Sequence, residues 1–185
     1  MQALAFDPGG VVEGTSRPEL APVGRADDAT DEVREAPQAR ERPVVLIVDD
    51  EASIRLLCRV NLRLEGMDTA EADDGETALR AARELKPDLI LLDVMMPNID
   101  GWQVAKQLSQ DKATRNLPIV FLSARAEPAD HLRGYDLGAV GYLTKPFDPI
   151  TLGSTLLTVL ERLGRGELEA MRRERLHELG ELSAT

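Results

Sequence analysis

The residues able to do chemistry in this chain stand at the ends of apolar runs. Val44-Val45-Leu46-Ile47-Val48 leads into Asp49-Asp50-Glu51, and Leu89-Ile90-Leu91-Leu92 leads into Asp93. Pro118 to Leu122 leads into Ser123, and Val140 to Leu143 leads into Thr144-Lys145-Pro146. Singly, each has an ordinary structural explanation: Asp49 or Asp50 caps a helix starting at Glu51, Ser123 caps another, and Lys145 is a solvated charge. Gathered on one rim, three carboxylates, a hydroxyl and an ammonium need a different account. Two carboxylates about 4 Å apart repel by roughly 4 kcal/mol at an effective dielectric near 20. Such a cluster persists only with protonation or added positive charge. Lys145 offers one charge and a divalent cation two more, and hard oxygen ligands suit Mg²⁺, held by Asp50 and Asp93 with Asp49 helping. A carboxylate beside Mg²⁺ and an ammonium is placed to accept a phosphoryl group, a transfer that consists mostly of positioning and charge neutralisation. Asp93 would then be the nucleophile, with Lys145 and Ser123 contacting phosphoryl oxygens.

The elements that must position these residues follow from hydrophobic periodicity. Unbroken apolar or β-branched runs predict strands at 44–48, 89–93, 118–122 and 140–143, with a weaker strand around 67–71. Between them, helices are predicted from Glu51 to Leu64 (apolar face Ile54, Leu57, Cys58, Leu64) and from Gly75 to Leu85 (Ala78, Leu79, Ala82 and Leu85 inward). Two more are predicted from Trp102 to about Ser109 and from Ala129 to Leu137. A last one has Asp148 as N-cap and Pro149 in the first helical position, where a missing N–H is harmless. Five strand–helix units predict an α/β fold: a five-stranded parallel sheet with helices on both faces. In such a sheet the site lies at the carboxyl ends of the strands, where strand order reverses. All the residues named above would meet there.

Composition narrows the function classes. The chain has 185 residues, 43% apolar and only 3% aromatic, so Leu, Val, Ile and Ala must fill the core. A net charge of −11 argues against nucleic-acid binding through a basic surface of its own. The single cysteine, Cys58, excludes an intramolecular disulfide and sits in a helical run, as a buried inert thiol would. No apolar run is long enough for a membrane span and no secretory signal pattern opens the chain, so a soluble cytoplasmic protein is expected. Residues 1–42 mix nine acids, five arginines, four prolines and four glycines without periodicity, which predicts a disordered extension. Beyond Gly164-Arg165-Gly166, residues 165–185 carry an irregular apolar stripe of Leu168, Met171, Leu176, Leu179 and Leu182. That stripe fits either a solvated helix or one that dimerises or binds a partner.

Four segments, "VLIVDDE", "LILLDVMMPNIDGWQV", "PIVFLSA" and "GAVGYLTKPF", together resemble the receiver domain of two-component response regulators, over about residues 43–164. The resemblance implies a flavodoxin-like sheet in strand order 2-1-3-4-5. It implies Mg²⁺ as cofactor and a sensor histidine kinase or histidine phosphotransfer protein as phosphoryl donor. It places the phosphoacceptor at Asp93, the acidic pair at Asp49 and Asp50, and a metal-binding backbone carbonyl at Met95. It puts the switch hydroxyl at Ser123, the phosphoryl-contacting lysine at Lys145, a cis-proline at Pro146 and the switch aromatic at Tyr142. Met95 and Arg125 fall where the family tunes phosphoryl lifetime. The implied protein is a signalling switch, not an enzyme, acting on an unknown downstream protein, with a phosphorylation-dependent homodimer as a further possibility. With no effector domain recognisable, direct nucleic-acid binding is not expected. Two alternatives stay open: a receiver-shaped scaffold indifferent to phosphate, and a phosphohydrolase of the haloacid-dehalogenase type, whose DxD nucleophile motif Asp49-Asp50-Glu51 lacks.

Overall fold

The computed structural model describes residues 40–124 and 128–182. Five strands, β1 (Val44–Val48), β2 (Asp68–Ala72), β3 (Leu89–Asp93), β4 (Ile119–Ser123) and β5 (Ala139–Thr144), form one sheet in the order β2-β1-β3-β4-β5. Every pairing is parallel. The helices are α1 (Ala52–Leu64), α2 (Gly75–Leu85), α3 (Gly101–Gln110), α4 (Pro128–Asp136), α5 (Pro149–Gly164) and α6 (Leu168–Leu182). This is the flavodoxin-like α/β arrangement. The predicted disordered extension falls almost wholly on residues 1–39, outside the described residues. Arg40 already belongs to the folded body, donating to the carbonyls of Leu85 and Lys86 at the C-terminus of α2.

Strand alternation sorts the core into two layers. Leu46, Val48, Ile90, Leu92, Ile119 and Phe121 face one side, where they pack with Ala78, Leu79 and Ala82 of α2 and Val104, Ala105 and Leu108 of α3. Their neighbours Val45, Ile47, Leu89, Leu91, Val120 and Leu122 face the other side, against Cys58 and Leu62 of α1 and Leu152 and Leu156 of α5. With helices on both faces, β1, β3 and β4 have no wet side, which is why they read as unbroken apolar runs. Each such side chain contributes roughly 1.5–3 kcal/mol of burial. The strand ends are thereby among the most firmly positioned points in the molecule.

Local signals set the helix starts. Asp74 accepts from Thr77 N–H, Asp100 and Gln103 form a reciprocal capping box, and Asp148 accepts from Ile150 N–H beside Pro149. The sequence expectation was off at particular positions. Leu64, expected on the inner face of α1, is 80% exposed, and Leu62 goes inward instead. At 100° per residue, Leu62 lies close to the direction of Cys58 while Leu64 is swung far from it. Leu85, in the last turn of α2, is likewise exposed. The stripe beyond α5 forms α6, which is not a solvated helix at its start: Met171 is buried with Val120, Val140 and Leu156. The side chains of Leu176, Leu179 and Leu182 lie outside the described residues.

Gly101 ties the fold to the strand-end cluster. Its N–H donates to Val94 O, and a Cβ there would run into the backbone oxygen of Asp93 and sit 2.9 Å from Val94 Cα. Only a glycine lets α3 begin so close to the end of β3. Gly101→Ala is expected to destabilise the protein by about 1–3 kcal/mol in urea denaturation and to shift the amide resonances of Asp93 and Val94.

Candidate functional site

The chain passes from β1 out to β2 and then back across β1 to β3, so strand order reverses between β1 and β3. In open α/β sheets the carboxyl ends at such a reversal are where ligands bind. Asp49 follows β1 and Asp93 ends β3; both are buried, while neighbouring Asp50 is exposed on the rim. One carboxylate oxygen from each of Asp49, Asp50 and Asp93 lies within 4.8 Å of the others. Lys145, carried just past β5, bridges the two buried acids, with Nζ 2.7 Å from Asp49 Oδ2 and 3.2 Å from Asp93 Oδ2. Its own backbone N–H donates to Ser123 O, which fixes the lysine to the end of β4. Ser123 is buried in the same rim. The five charged and hydroxyl residues singled out in the sequence thus come together.

The other nominated residues sit differently. The Lys145–Pro146 peptide is cis. Met95 lies on the loop after β3 with its side chain 60% exposed. Tyr142 stands back from the carboxylates, beneath α4. Arg125 lies outside the described residues.

Electrostatics follow from the burial. Desolvation, and then the charge of Asp49, push Asp93 above the usual carboxylate range, while Lys145 pulls it back part of the way. Burial works against the Lys145 ammonium, yet its hydrogen bond to Asp49 and the charge of Asp93 more than offset this and hold its pKa above the ordinary value. Asp93 Oδ2 faces the lysine; Asp93 Oδ1 is buried and makes no hydrogen bond. Three oxygen-donor side chains on one rim, one with an uncommitted buried oxygen, fit a hard divalent cation such as Mg²⁺. Cys58 takes no part, its thiol pushed by burial up to about 12.

Two features escaped the sequence. Arg55, one turn into α1, donates to the carbonyls of Asp49 and Asp50 and pairs with Glu71 of β2, so it holds the acidic pair by its backbone. A lone cation four residues after Glu51 was the only available signal. The second is a row of rings. Trp102 and Phe121 have centroids 4.7 Å apart, Phe121 and Tyr142 5.2 Å, and Tyr142 stacks on His131 at 4.2 Å. The Tyr142 hydroxyl donates to Asp130 O at 2.7 Å. Gly134 makes room for that ring, since a Cβ there would meet the Tyr142 hydroxyl. Residues so far apart in sequence give no periodic signal.

A doubly wound sheet with clustered carboxylates and a lysine gathered at its switch point is the architecture of response regulator receiver domains, and comparison with known proteins agrees. The model of the response regulator receiver domain matches residues 45–157. The chain is 47% identical over 118 residues to the alkaline phosphatase synthesis transcriptional regulatory protein PhoP of Bacillus subtilis, covering 64% of this chain and 48% of that one. It is 42% identical over 126 residues to the phosphate regulon transcriptional regulatory protein PhoB of Pseudomonas aeruginosa, covering 68% and 55%. Among solved structures it resembles the chemotaxis protein CheY4 of Vibrio cholerae (TM-score 0.59, 35% identity, 65% of this chain and 98% of that one). A putative response regulator from Chloroflexus aurantiacus matches similarly (TM-score 0.61, 34% identity, 66% and 100%).

This chain belongs to the response regulator receiver family of two-component signal transduction. It spans about half the length of the curated relatives it matches. Those relatives are named as transcriptional regulators, so they lend no support to the expectation that nucleic acid is not contacted. No helix among the described residues is long and apolar enough to cross a membrane.

The raised Asp93 pKa has a definite sign in stability. Unfolded, the group titrates near about 3.9; folded, it keeps its proton to higher pH. Folding therefore takes up a proton in that window, and stability falls as pH rises through it. With carboxylate oxygens of Asp49 and Asp93 no more than 4.8 Å apart, their repulsion is about 3–4 kcal/mol or more at an effective dielectric near 20, largely offset by Lys145. In metal-free buffer at pH 7, Asp93→Asn is expected to be more stable than the parent by about 1 kcal/mol in urea denaturation. The difference should close as pH falls below the unfolded aspartate range; a less stable variant at pH 7 would contradict this account.

Proposed function

We propose that this chain is a phospho-accepting switch that receives a phosphoryl group on Asp93 from the phosphohistidine of a sensor histidine kinase or a histidine phosphotransfer protein. One observation carries the proposal above the others: the buried Asp93 Oδ1 has no hydrogen-bond partner, while its sister oxygen is held by Lys145. An unpartnered buried oxygen on a fixed strand end is a poor structural choice and a good nucleophile.

In the transfer, an Asp93 carboxylate oxygen forms a bond to phosphorus, the P–N bond breaks, and the imidazole leaves with the electron pair. Asp49, Asp50 and Asp93, with the Met95 carbonyl, would hold Mg²⁺, which supplies neutralisation of phosphoryl oxygen charge when bound. Lys145 already lies against Asp93 and can follow the charge onto the phosphoryl group. The Ser123 hydroxyl donates to another phosphoryl oxygen. Phe121 stands two residues before Ser123 on β4 and opposite Tyr142 in register, so displacement of the β4 end is felt by the Tyr142 ring. That ring is bonded to α4, and the surface formed by α4, β5 and α5 is the output.

Acetyl phosphate with Mg²⁺ is expected to label the full chain, seen as a shifted band on a phosphate-affinity gel. The label should vanish in EDTA and in Asp93→Asn. Persistence of the label in Asp93→Asn would sink the assignment, and no label at all would favour a phosphate-indifferent scaffold. Sustained turnover of a generic phosphate ester would favour the hydrolase alternative. Lifetime gives a separate check. A thioether cannot orient a hydrolytic water as an amide can, so Met95 favours a long-lived phosphoryl group. Met95→Asn should shorten the half-life of the labelled protein severalfold, and an unchanged half-life would remove Met95 from this role.

A further inference from the structure

β5 is an edge strand, paired with β4 on one side only. An uncovered edge invites pairing with other chains, and folded proteins commonly bury it under another element. Here the covering element is α6, which packs against both β5 and α4. Three anchors hold it. Met171 is 4% exposed and inserts among Val120, Val140 and Leu156. On the α5 side, Arg162 pairs with Glu167 at 2.7 Å and with Glu174 of α6 at 2.8 Å. On the α4 side, Arg172 donates through Nε and Nη2 to Gly138 O at 3.3 and 3.2 Å. Beneath α6, between α4, β5 and α5, lies a cavity of about 500 Å³, walled by His131, Tyr142, Thr155, Val159, Arg162 and Met171.

The Arg172 contact reaches the end of α4. Gly138 N–H donates to Tyr135 O and Leu137 N–H to Arg133 O and Gly134 O, so Gly138 closes the last turn of that helix. A guanidinium there faces the negative end of the helix dipole. Gly138 has φ +96°, a backbone conformation that favours glycine, and Arg172 Nη2 would lie 2.9 Å from a Cβ placed there. At the other end of α4, the Tyr142 hydroxyl holds Asp130 O. A nine-residue helix is too short to be stable alone, so its order depends on what grips it. Tyr142 grips the first turn and Arg172 the last.

We propose that α6 occupies in cis a helix-binding groove along β5, and that α6 and Tyr142 hold α4 as one cooperative unit. A partner helix that takes the groove must displace α6, and in doing so it frees the C-terminal turn of α4. Because coupling between sites is reciprocal, whatever alters the Tyr142–α4 contact also alters the docking of α6. This proposal goes beyond phosphoryl acceptance and does not depend on it.

Hydrogen–deuterium exchange on the full chain tests it without any ligand. Tyr142→Phe removes the bond to Asp130 O and leaves Met171, Arg162 and Arg172, the three anchors of α6, unchanged. It is expected to speed exchange of the amides of 168–182 by roughly fivefold or more, while β1 and β3 amides keep their rates. Arg172→Ala should speed exchange in α4 as well as in α6. Arg162→Ala, at a half-exposed ion pair that leaves the core intact, should do the same and serves where another variant unfolds. If Tyr142→Phe leaves α6 exchange within twofold of the parent, or if both arginine variants loosen α6 but leave α4 unchanged, the cooperative unit does not exist. If α6 exchanges in the parent as fast as an unstructured peptide, the groove is not occupied in cis.

Discussion

The ammonium of Lys145, set between Asp49 and Asp93, is the interaction on which the rest of the site depends. Two carboxylates almost removed from water are tolerable only because a cation stands between them. That cation arrives on β5, two strands away from β3, so the sheet must form in full before the charges balance. The Lys145 N–H bond to Ser123 O then sets how far past the sheet its side chain begins. The balance is deliberately incomplete in a physical sense. One ammonium cannot offset two buried charges and a third on the rim, and Asp93 remains harder to ionise than an ordinary aspartate. The residual demand for positive charge is what suits the cluster to a divalent cation.

Rigidity at one end of the sheet is matched by adjustable packing at its β5 edge. β1, β3 and β4 are dry on both faces, and their C-terminal ends cannot drift without opening the core. Toward β5 the contacts change character. Tyr142 is half-buried, leans on Phe121, stacks on His131 and reaches a backbone carbonyl of α4. Four of the five aromatic residues in the described chain, Trp102, Phe121, Tyr135 and Tyr142, gather on this side. Tilted rings can slide with little loss of contact, whereas interdigitated aliphatic chains cannot. A displacement at Ser123 therefore has a compliant direction in which to propagate.

The strands, their order along the chain and most helix starts were legible because burial on two faces writes a continuous apolar signal, and Asp148 writes a cap beside it; the caps at Asp74 and Asp100 came only with the structure. The residues that depart from periodicity lie where a helix ends. Leu64 and Leu85 occupy last turns, where an apolar residue can turn outward at little cost because fewer neighbours demand its surface. The start of α6 was ambiguous for a related reason. Its stripe is too irregular to define a face, and only the groove between α4, β5 and α5 explains why Met171 goes inward. Arg55 and the ring row were invisible because their partners lie on other elements.

The sequence by itself determined which residues would stand at strand ends, since an apolar run that stops at an acid or a lysine fixes its own terminus. From that, and from the parallel arrangement that five strand–helix units require, the gathering of Asp49, Asp50, Asp93, Ser123 and Lys145 could be read directly. Tertiary structure alone decided which oxygen of Asp93 meets Lys145 and which is left without a partner. It also decided that Tyr142 is bonded to α4 and that α6 closes the edge of β5. The physical reason is one of range. Periodicity records how a residue relates to its own element, whereas hydrogen bonds between elements depend on ångström-scale distances that only the packed core sets.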